Sequence, residues 1–252
     1  MDLIEAGADT SRRHPWELAR FDFFHRVLQS GLVAVPPRSV LDIGAGDGWF
    51  SESLGSHLGA ESQIVCWDAN YTDEHLKPFG GAAVDRMTFT REPPDGTYDL
   101  VLLMDVLEHI EDDHGFLHDA AKSHMTAGTR ILISVPAWPV LYSRHDAHFG
   151  HYRRYTPRAA RAVIQGAGLQ ILRAGGLFHG LLPVRALMIM MEHHRRDHAE
   201  IRGLGGWEHG PLLTSALVAA LRAEGVVSRL LSSAGIELPG LSWWALCEKP
   251  NS

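Results

Sequence analysis

The stretch Val40-Leu41-Asp42-Ile43-Gly44-Ala45-Gly46-Asp47-Gly48-Trp49-Phe50-Ser51 decides how this chain is read. Ser39 to Ile43 has the apolar character of a buried strand and stops at Gly44, and a helix is expected from Trp49 to Leu58. Between them stand three alternate glycines. Glycine takes positive φ without penalty and lets a ligand approach the main chain. The helix behind it presents unpaired N–H groups. A dinucleotide loop of the GxGxxG kind would place its third glycine where Trp49 stands, and an indole there obstructs a pyrophosphate. A Walker loop needs Gly-Lys-Ser/Thr, which this stretch lacks. Taken alone, the loop also fits a plain tight strand-to-helix turn.

Working outward, a second strand, Gln63 to Trp67, ends at Asp68. That is about 20 residues past the glycines, where α/β nucleotide folds place a carboxylate to accept ribose hydroxyls. Tyr98 to Met104 (YDLVLLM) is an apolar run but for Asp99 near its start, as in a parallel strand covered on both faces. A helix is expected from Asp112 to Met125, then a strand from Arg130 to Val135. A further helix opens at Thr156-Pro157, with Thr as N-cap and Pro at the first helical position, and runs to Gly166. Gln170 to Ala174 is another strand. Trp16 to Gln29 reads as a helix ahead of the core, and Leu181 to Arg195 and Pro211 to Ser233 as helices after it, with Gly225 a candidate interruption. Leu241 to Cys247 closes the chain as an apolar strand.

Strands alternating with helices predict an α/β fold with a mainly parallel sheet. No linker divides the chain. The expected organisation is a single domain over residues 1–252: an N-terminal helical cap (1–37), a core (38–178), a helical insertion that covers the acceptor (179–240) and a last strand (241–252).

Composition narrows the function. The 252 residues are 45% hydrophobic and 21% charged, which is ordinary for a globular chain. A formal charge of −7 argues against a life spent on nucleic-acid phosphates. Cys66 and Cys247 form neither a disulfide framework nor a CxxC motif, so a reducing cytoplasm is expected. The N-terminus is acidic where a signal peptide is basic. The longest apolar run, Leu181 to Met191, is broken by Pro183 and Arg185 and falls short of the ~20 residues of a membrane helix, so no transmembrane segment is expected. Nothing here fixes the oligomeric state.

The glycine loop, Asp68, the run Tyr98 to Ile110 (YDLVLLMDVLEHI) and the strand Ile131 to Pro136 together resemble class I S-adenosylmethionine-dependent methyltransferases. The likeness is greatest to the type 11/12 group that includes ubiquinone-biosynthesis O-methyltransferases, and it covers about residues 38–178. It implies a Rossmann-like three-layer sandwich: a seven-stranded, mainly parallel sheet with one antiparallel strand, that strand being Leu241 to Cys247. It also implies a bound S-adenosylmethionine. Asp42, Gly44, Ala45 and Gly46 would face its methionine part, Asp68 and Ala69 its ribose, and Asp105, Val106 and Leu107 the region after the fourth strand. Many members carry an acidic-plus-small pair for the adenine amine; here Met87 to Glu92 stands instead, leaving a backbone group near Thr88 or Phe89.

Methyl transfer from a sulfonium is an in-line displacement, so the protein aligns the acceptor and manages its proton. Candidate groups follow the fourth and fifth strands. Asp105-x-x-Glu108-His109 lies at a carboxyl edge, where ligands bind in open α/β sheets. The loop Ser143 to Tyr155 carries His145, His148 and His151. In one reading His109, His145, His148 or His151 is a general base for a hydroxyl. In a second, Asp105, Glu108, His109 and His145 or His148 hold a divalent metal, as in the E-x-x-E-H sites of metal-dependent relatives. In a third, the loop is structural. Arg153-Arg154 would suit an anionic acceptor, and Leu177 to Met191 a greasy one. The activity expected is methylation of a small molecule at oxygen. The rivals are a methyltransferase fold that uses bound S-adenosylmethionine for other chemistry or merely binds it, and an NAD-type oxidoreductase, which Trp49 opposes.

Overall fold

A computed structural model of the chain describes residues 13–31, 36–76, 86–194 and 209–251. The expected elements form, with small shifts at their ends. They are α1 (Pro15–Gly31), β1 (Ser39–Ile43), α2 (Trp49–Gly55), β2 (Gln63–Trp67), β3 (Met87–Thr90), β4 (Tyr98–Met104), α3 (Asp113–His124), β5 (Met125–Pro136), α4 (Arg144–His148), α5 (Pro157–Gly166), β6 (Gln170–Leu177), α6 (Leu181–His194), α7 (Pro211–Ser233) and β7 (Ser242–Glu248). Two differences have local causes. β6 runs three residues past Ala174 because Gly175 and Gly176 stay paired with Trp244 and Trp243. The segment around Arg144 is a short helix because Ser143 and Asp146 form a reciprocal capping box.

The strands make one seven-stranded sheet in the order β3-β2-β1-β4-β5-β7-β6. β1 pairs in parallel with β2 and β4, whereas β7 runs antiparallel to both β5 and β6. The order reverses between β1 and β4, and such a switch point opens a crevice at the carboxyl ends of the strands.

Both faces of the sheet are covered. On one, Val101, Leu103, Ile131 and Ile133 pack with α3 and α5 through Leu117, Val163 and Ile164. On the other, Leu100, Leu102, Leu132 and Trp244 meet Phe23, Phe24, Val27 and Leu28 of α1. Double coverage explains why β4 is apolar at successive positions from Leu100 to Met104, while Asp99 at its exposed start accepts from Arg38 N and Ser39 N. Thr156 caps α5 by accepting from Ala159 N, with Pro157 at the first turn. Gly225 does not interrupt α7. It is buried, and a Cβ there would lie 3.2 Å from the Phe23 ring, so the glycine lets α7 pack closely on α1. The run His193 to His198 lies at and beyond the end of α6, and its side chains fall outside the described residues.

Candidate active site

The glycine loop leaves β1 at the switch point. Gly44, Gly46 and Gly48 all have positive φ, of 70°, 56° and 72°. A Cβ on Gly44 would come within 2.5 Å of Val106 Cγ2, so the loop and the residue after β4 touch only because a side chain is missing. Gly44 N donates to Trp67 O at 2.7 Å, holding the loop against the end of β2. Asp68 then reaches across: its Oδ2 accepts from Gly46 N at 3.0 Å and its Oδ1 from Asn70 N at 2.9 Å. Each oxygen keeps a further lone pair for a ligand hydroxyl. Ala69 is exposed one residue beyond. Asp42 is buried below the loop and accepts from Ser51 Oγ at 2.7 Å. Burial pushes its carboxyl up to about 6, partly offset by that hydrogen bond. Phe89, at the end of β3, packs on Gly48 and edge-on to Tyr71.

Helix α1, with Arg13 just ahead of it, closes over this edge and brings two arginines that sequence reading missed. Arg13 pairs with Asp47 of the glycine loop and lies 4.9 Å over the Trp49 ring. Arg20 pairs with Asp105 Oδ2 at 2.7 Å and donates to Ser134 Oγ at 2.8 Å. Ser134 Oγ in turn donates to Asp105 Oδ1 at 2.9 Å. Asp105 has φ of 57°, an uncommon conformation for a non-glycine residue that turns its carboxylate toward α1. The signal was available: Arg20 falls on the same side of the helix as Trp16 and Phe24, and its guanidinium lies over both rings.

After Asp105 the chain makes a single 3-10 turn, Leu107–His109. It buries Leu107 and Glu108. Glu108 is 1% exposed, and its Oε2 has no hydrogen-bond partner among the described residues. Burial, reinforced by the nearby Asp105 charge, pushes its carboxyl well above the usual range, so it favours the protonated form. The histidine loop is organised by Asp146, which is fully buried. Its Oδ1 accepts from Arg154 Nε at 2.7 Å and bonds His151 Nδ1 at 3.1 Å; its Oδ2 accepts from Ser143 N at 2.9 Å and from Arg185 of α6 at 3.4 Å. Burial alone would raise this carboxyl, but the His151 bond and the Arg154 charge prevail and hold it below the ordinary range. The His109 and His151 rings meet edge-on at 4.6 Å. Ligand atoms of Glu108, His109 and His151 lie within 4.8 Å of one another.

The structure therefore rearranges the expected constellation. It brings His109 and His151 together beside Glu108. His145 and His148 pack instead against the Phe149 ring, at 4.6 and 5.1 Å. Burial, then the Arg185 charge, lowers His145 to about 4, and His148 is exposed. The metal set Asp105, Glu108, His109 and His145 does not converge, because Asp105 is turned to Arg20 and His145 to Phe149; His151 takes the third place beside Glu108 and His109. Arg153 and Arg154, expected to face an anionic acceptor, are both drawn onto protein carboxylates. Arg153 pairs with Asp113 at 3.1 Å and Arg154 with Asp146. Asp146 itself was not singled out from the sequence; its sign was the Ser143-x-x-Asp146 capping pattern.

A glycine loop at the switch point, a ribose-type acid ending β2, and a seven-stranded sheet with β7 antiparallel define the class I methyltransferase fold. The chain belongs to the methyltransferase family: the profile described as "Methyltransferase domain" matches residues 13–174. Over 109 residues it is 28% identical to ajmaline N-methyltransferase of Rauvolfia serpentina, a match taking in 39% of this chain and 36% of that relative. The chain thus spans about a third of that relative's length. Among solved structures it resembles a protein assigned as a sarcosine dimethylglycine methyltransferase from Galdieria sulphuraria, with TM-score 0.51, 17% identity, and 94% of this chain and 85% of that one covered. It also resembles the [4+2]-cyclase SpnF, with TM-score 0.52, 13% identity, and coverage of 98% and 87%. Likenesses at this identity concern the fold alone.

The cofactor of this family is S-adenosylmethionine, and the residues present fit it. Asp68 is an acceptor-only group with lone pairs left for a diol, and the positive-φ glycines expose main chain beside it.

Proposed function

We propose that this protein transfers the methyl group of S-adenosylmethionine to a hydroxyl of a small molecule, with His151 as the general base. The observation that carries the reading is the Asp146–His151 pair beside Glu108 and His109, next along the strand edge from the glycine loop and Asp68. The bound cofactor supplies an electrophilic methyl on a sulfonium. Gly44, Ala45 and Gly46 hold its methionine part by main chain, with Asp42 beneath them. Asp68 takes the ribose, and Asp105, Val106 and Leu107 line the floor after β4.

A hydroxyl must shed its proton as it attacks, whereas a neutral amine carries its lone pair ready. A positioned base therefore favours oxygen over nitrogen as the acceptor atom. Asp146 ties His151 Nδ1, which leaves Nε2 as the nitrogen that takes the proton, and the ionised Asp146 stabilises the imidazolium that results. Helix α6 covers this loop, since its Arg185 donates to Ser143 Oγ at 2.6 Å, and its leucines and methionines suit an acceptor with an apolar part. The thiols of Cys66 and Cys247, each held in the core, fit a reducing compartment such as the cytoplasm.

A second reading rests on one observation, the unpartnered buried Glu108 Oε2 beside two histidines. Glu108, His109 and His151 would then hold a divalent cation that acidifies the acceptor oxygen, with Asp146 orienting His151 from behind.

Calorimetry with S-adenosylmethionine, S-adenosylhomocysteine and NAD tests the cofactor, and only the first two should bind. Mass spectrometry of a panel of hydroxylated acceptors then tests the transfer. Turnover that rises through one histidine-like step and ignores a chelator supports the base. Turnover abolished by chelation and restored by one divalent ion supports the metal. Tight NAD binding without the sulfur cofactors refutes both readings.

A further inference from the structure

Among the described residues, helix α7 is seated on the core by one edge: Val218, Gly225, Ser228 and Ser232 are buried, and Ser228 Oγ donates to Gly176 O at 2.6 Å. Its opposite face presents Leu212, Ala216, Ala219, Ala223, Val227 and Leu230, a stripe at helical spacing with no charged residue, and all six are exposed. Leu212 is 87% exposed and Leu230 67%. The helix has 23 residues, so the stripe runs about 30 Å. By length and composition it is apolar enough to cross a membrane, although Arg222, Glu224 and Arg229 interrupt its apolar sequence, yet its packed edge makes it part of the folded domain.

The flank of this stripe is basic although the chain is acidic overall. A hollow of about 190 Å³ between α1 and α7 is lined by Arg26, Arg222, Arg229 and Val226, with Asp22 paired to Arg222. Arg173 of β6 stands close behind, donating to Arg229 O at 3.0 Å. Arg229 Nε and Arg173 Nε are buried without a hydrogen-bond partner among the described residues. Three arginines, Arg26, Arg173 and Arg229, thus crowd one place, and that place borders the apolar stripe.

We propose that the outward face of α7, together with this arginine-lined hollow, docks on the surface of an anionic phospholipid bilayer, the stripe lying among the upper acyl chains and the arginines at the headgroup phosphates. An apolar face with cationic residues along its border is the design of helices that lie in a membrane interface without spanning it. A second copy of the chain suits the site less well, because a two-fold contact sets the same arginine-rich patch against itself, and the carboxylate it carries there, Asp22, is already paired with Arg222.

The test is co-sedimentation of the full chain with phosphatidylcholine vesicles and with vesicles containing about a third phosphatidylglycerol. The protein should pellet with the anionic vesicles, stay in solution with the neutral ones, and be released by about 0.5 M salt. Leu230→Glu should lower partition tenfold or more, and Arg26→Glu, on a different helix, about fivefold or more. Both positions are exposed, and melting curves matching the parent confirm that the variants fold. Equal partition onto both vesicle types, or variants that pellet like the parent, would overturn the proposal. So would a dimer in solution that Leu230→Glu splits while no form binds vesicles, since the face would then join two copies. Cofactor binding in solution is independent of every one of these outcomes.

Discussion

Asp146→Asn removes one charge from the centre of the histidine loop and leaves the shape nearly unchanged. In the folded protein that carboxylate meets Arg154, Arg185, His151 and the Ser143 N–H, and no part of it reaches solvent. Arg154 is itself 7% exposed, so the substitution strands a buried cation. Breaking a buried pair from one side costs about 3–5 kcal/mol. Arg185 is partly solvated, so the lower end, about 3 kcal/mol, is expected. For a domain of this length that is a fall in Tm of about 6–12 °C. The pH dependence supplies a second signature. The folded carboxyl titrates below its unfolded value, so its stabilisation is complete above about pH 4 and fades as pH falls through the folded value. The parent should therefore lose stability on acidification where the variant does not, and the two melting curves should converge toward low pH. Differential scanning calorimetry from neutral to strongly acid solution measures both effects. In the same variant His151 loses the ionised, acceptor-only partner that sets its tautomer and stabilises its charged form, and turnover should drop by about 10²–10⁴ with cofactor affinity unchanged. A Tm within 2 °C of the parent at neutral pH, with parallel acid limbs, would refute the argument that Asp146 organises this loop.

Glu108→Gln should act in the opposite direction on stability. Glu108 stays protonated in the folded state at pH values where the unfolded chain ionises it, so the parent loses stability as pH rises above about 4.5, at most about 1.4 kcal/mol per pH unit. The variant escapes that loss, and its Tm should exceed the parent's at pH 8 and match it near pH 4. Asp68→Ala should weaken S-adenosylmethionine binding by calorimetry by about 1.5–3 kcal/mol for each charged hydrogen bond lost, and unchanged affinity would remove Asp68 from the cofactor site. Gly44→Val faces both a positive φ and the Val106 methyl, so it should destabilise the protein measurably by thermal melting as well as abolish cofactor binding; a variant that melts like the parent would contradict the close contact described. Arg20→Ala should release Asp105 and loosen α1 over the site, visible as faster amide exchange in α1 and weaker cofactor binding.

The sequence carried the sheet and the cofactor loop because both are written in local chemistry. β4 is apolar at successive positions because α/β coverage buries both its faces. Gly44 and Gly46 are glycines because the turn needs positive φ and the main chain must approach Val106. Asp68 follows from the length of one βαβ unit. The positive-φ turn and the Asp68 spacing act within about 30 residues, the span of such a unit, and can be counted along the chain, whereas the contact of Gly44 with Val106, 62 positions on, is made only in the folded protein.

Which histidines meet is a different kind of fact. His109 and His151 are 42 residues apart, and His145 and His148 were equally good candidates by composition and interval. Only the capping box at Ser143–Asp146, which turns α4 so that Phe149 receives two of the rings and Asp146 holds the third, separates them. The same holds for Arg20 and Arg13, whose partners lie on loops after β4 and β1, and for α7, whose apolar character says nothing of which side is covered until α1 is in place. Long-range side-chain partners are chosen by the packing of whole elements, whose favourable energy comes from buried area rather than from any one spacing. That choice is therefore visible only once the tertiary structure has brought the elements together.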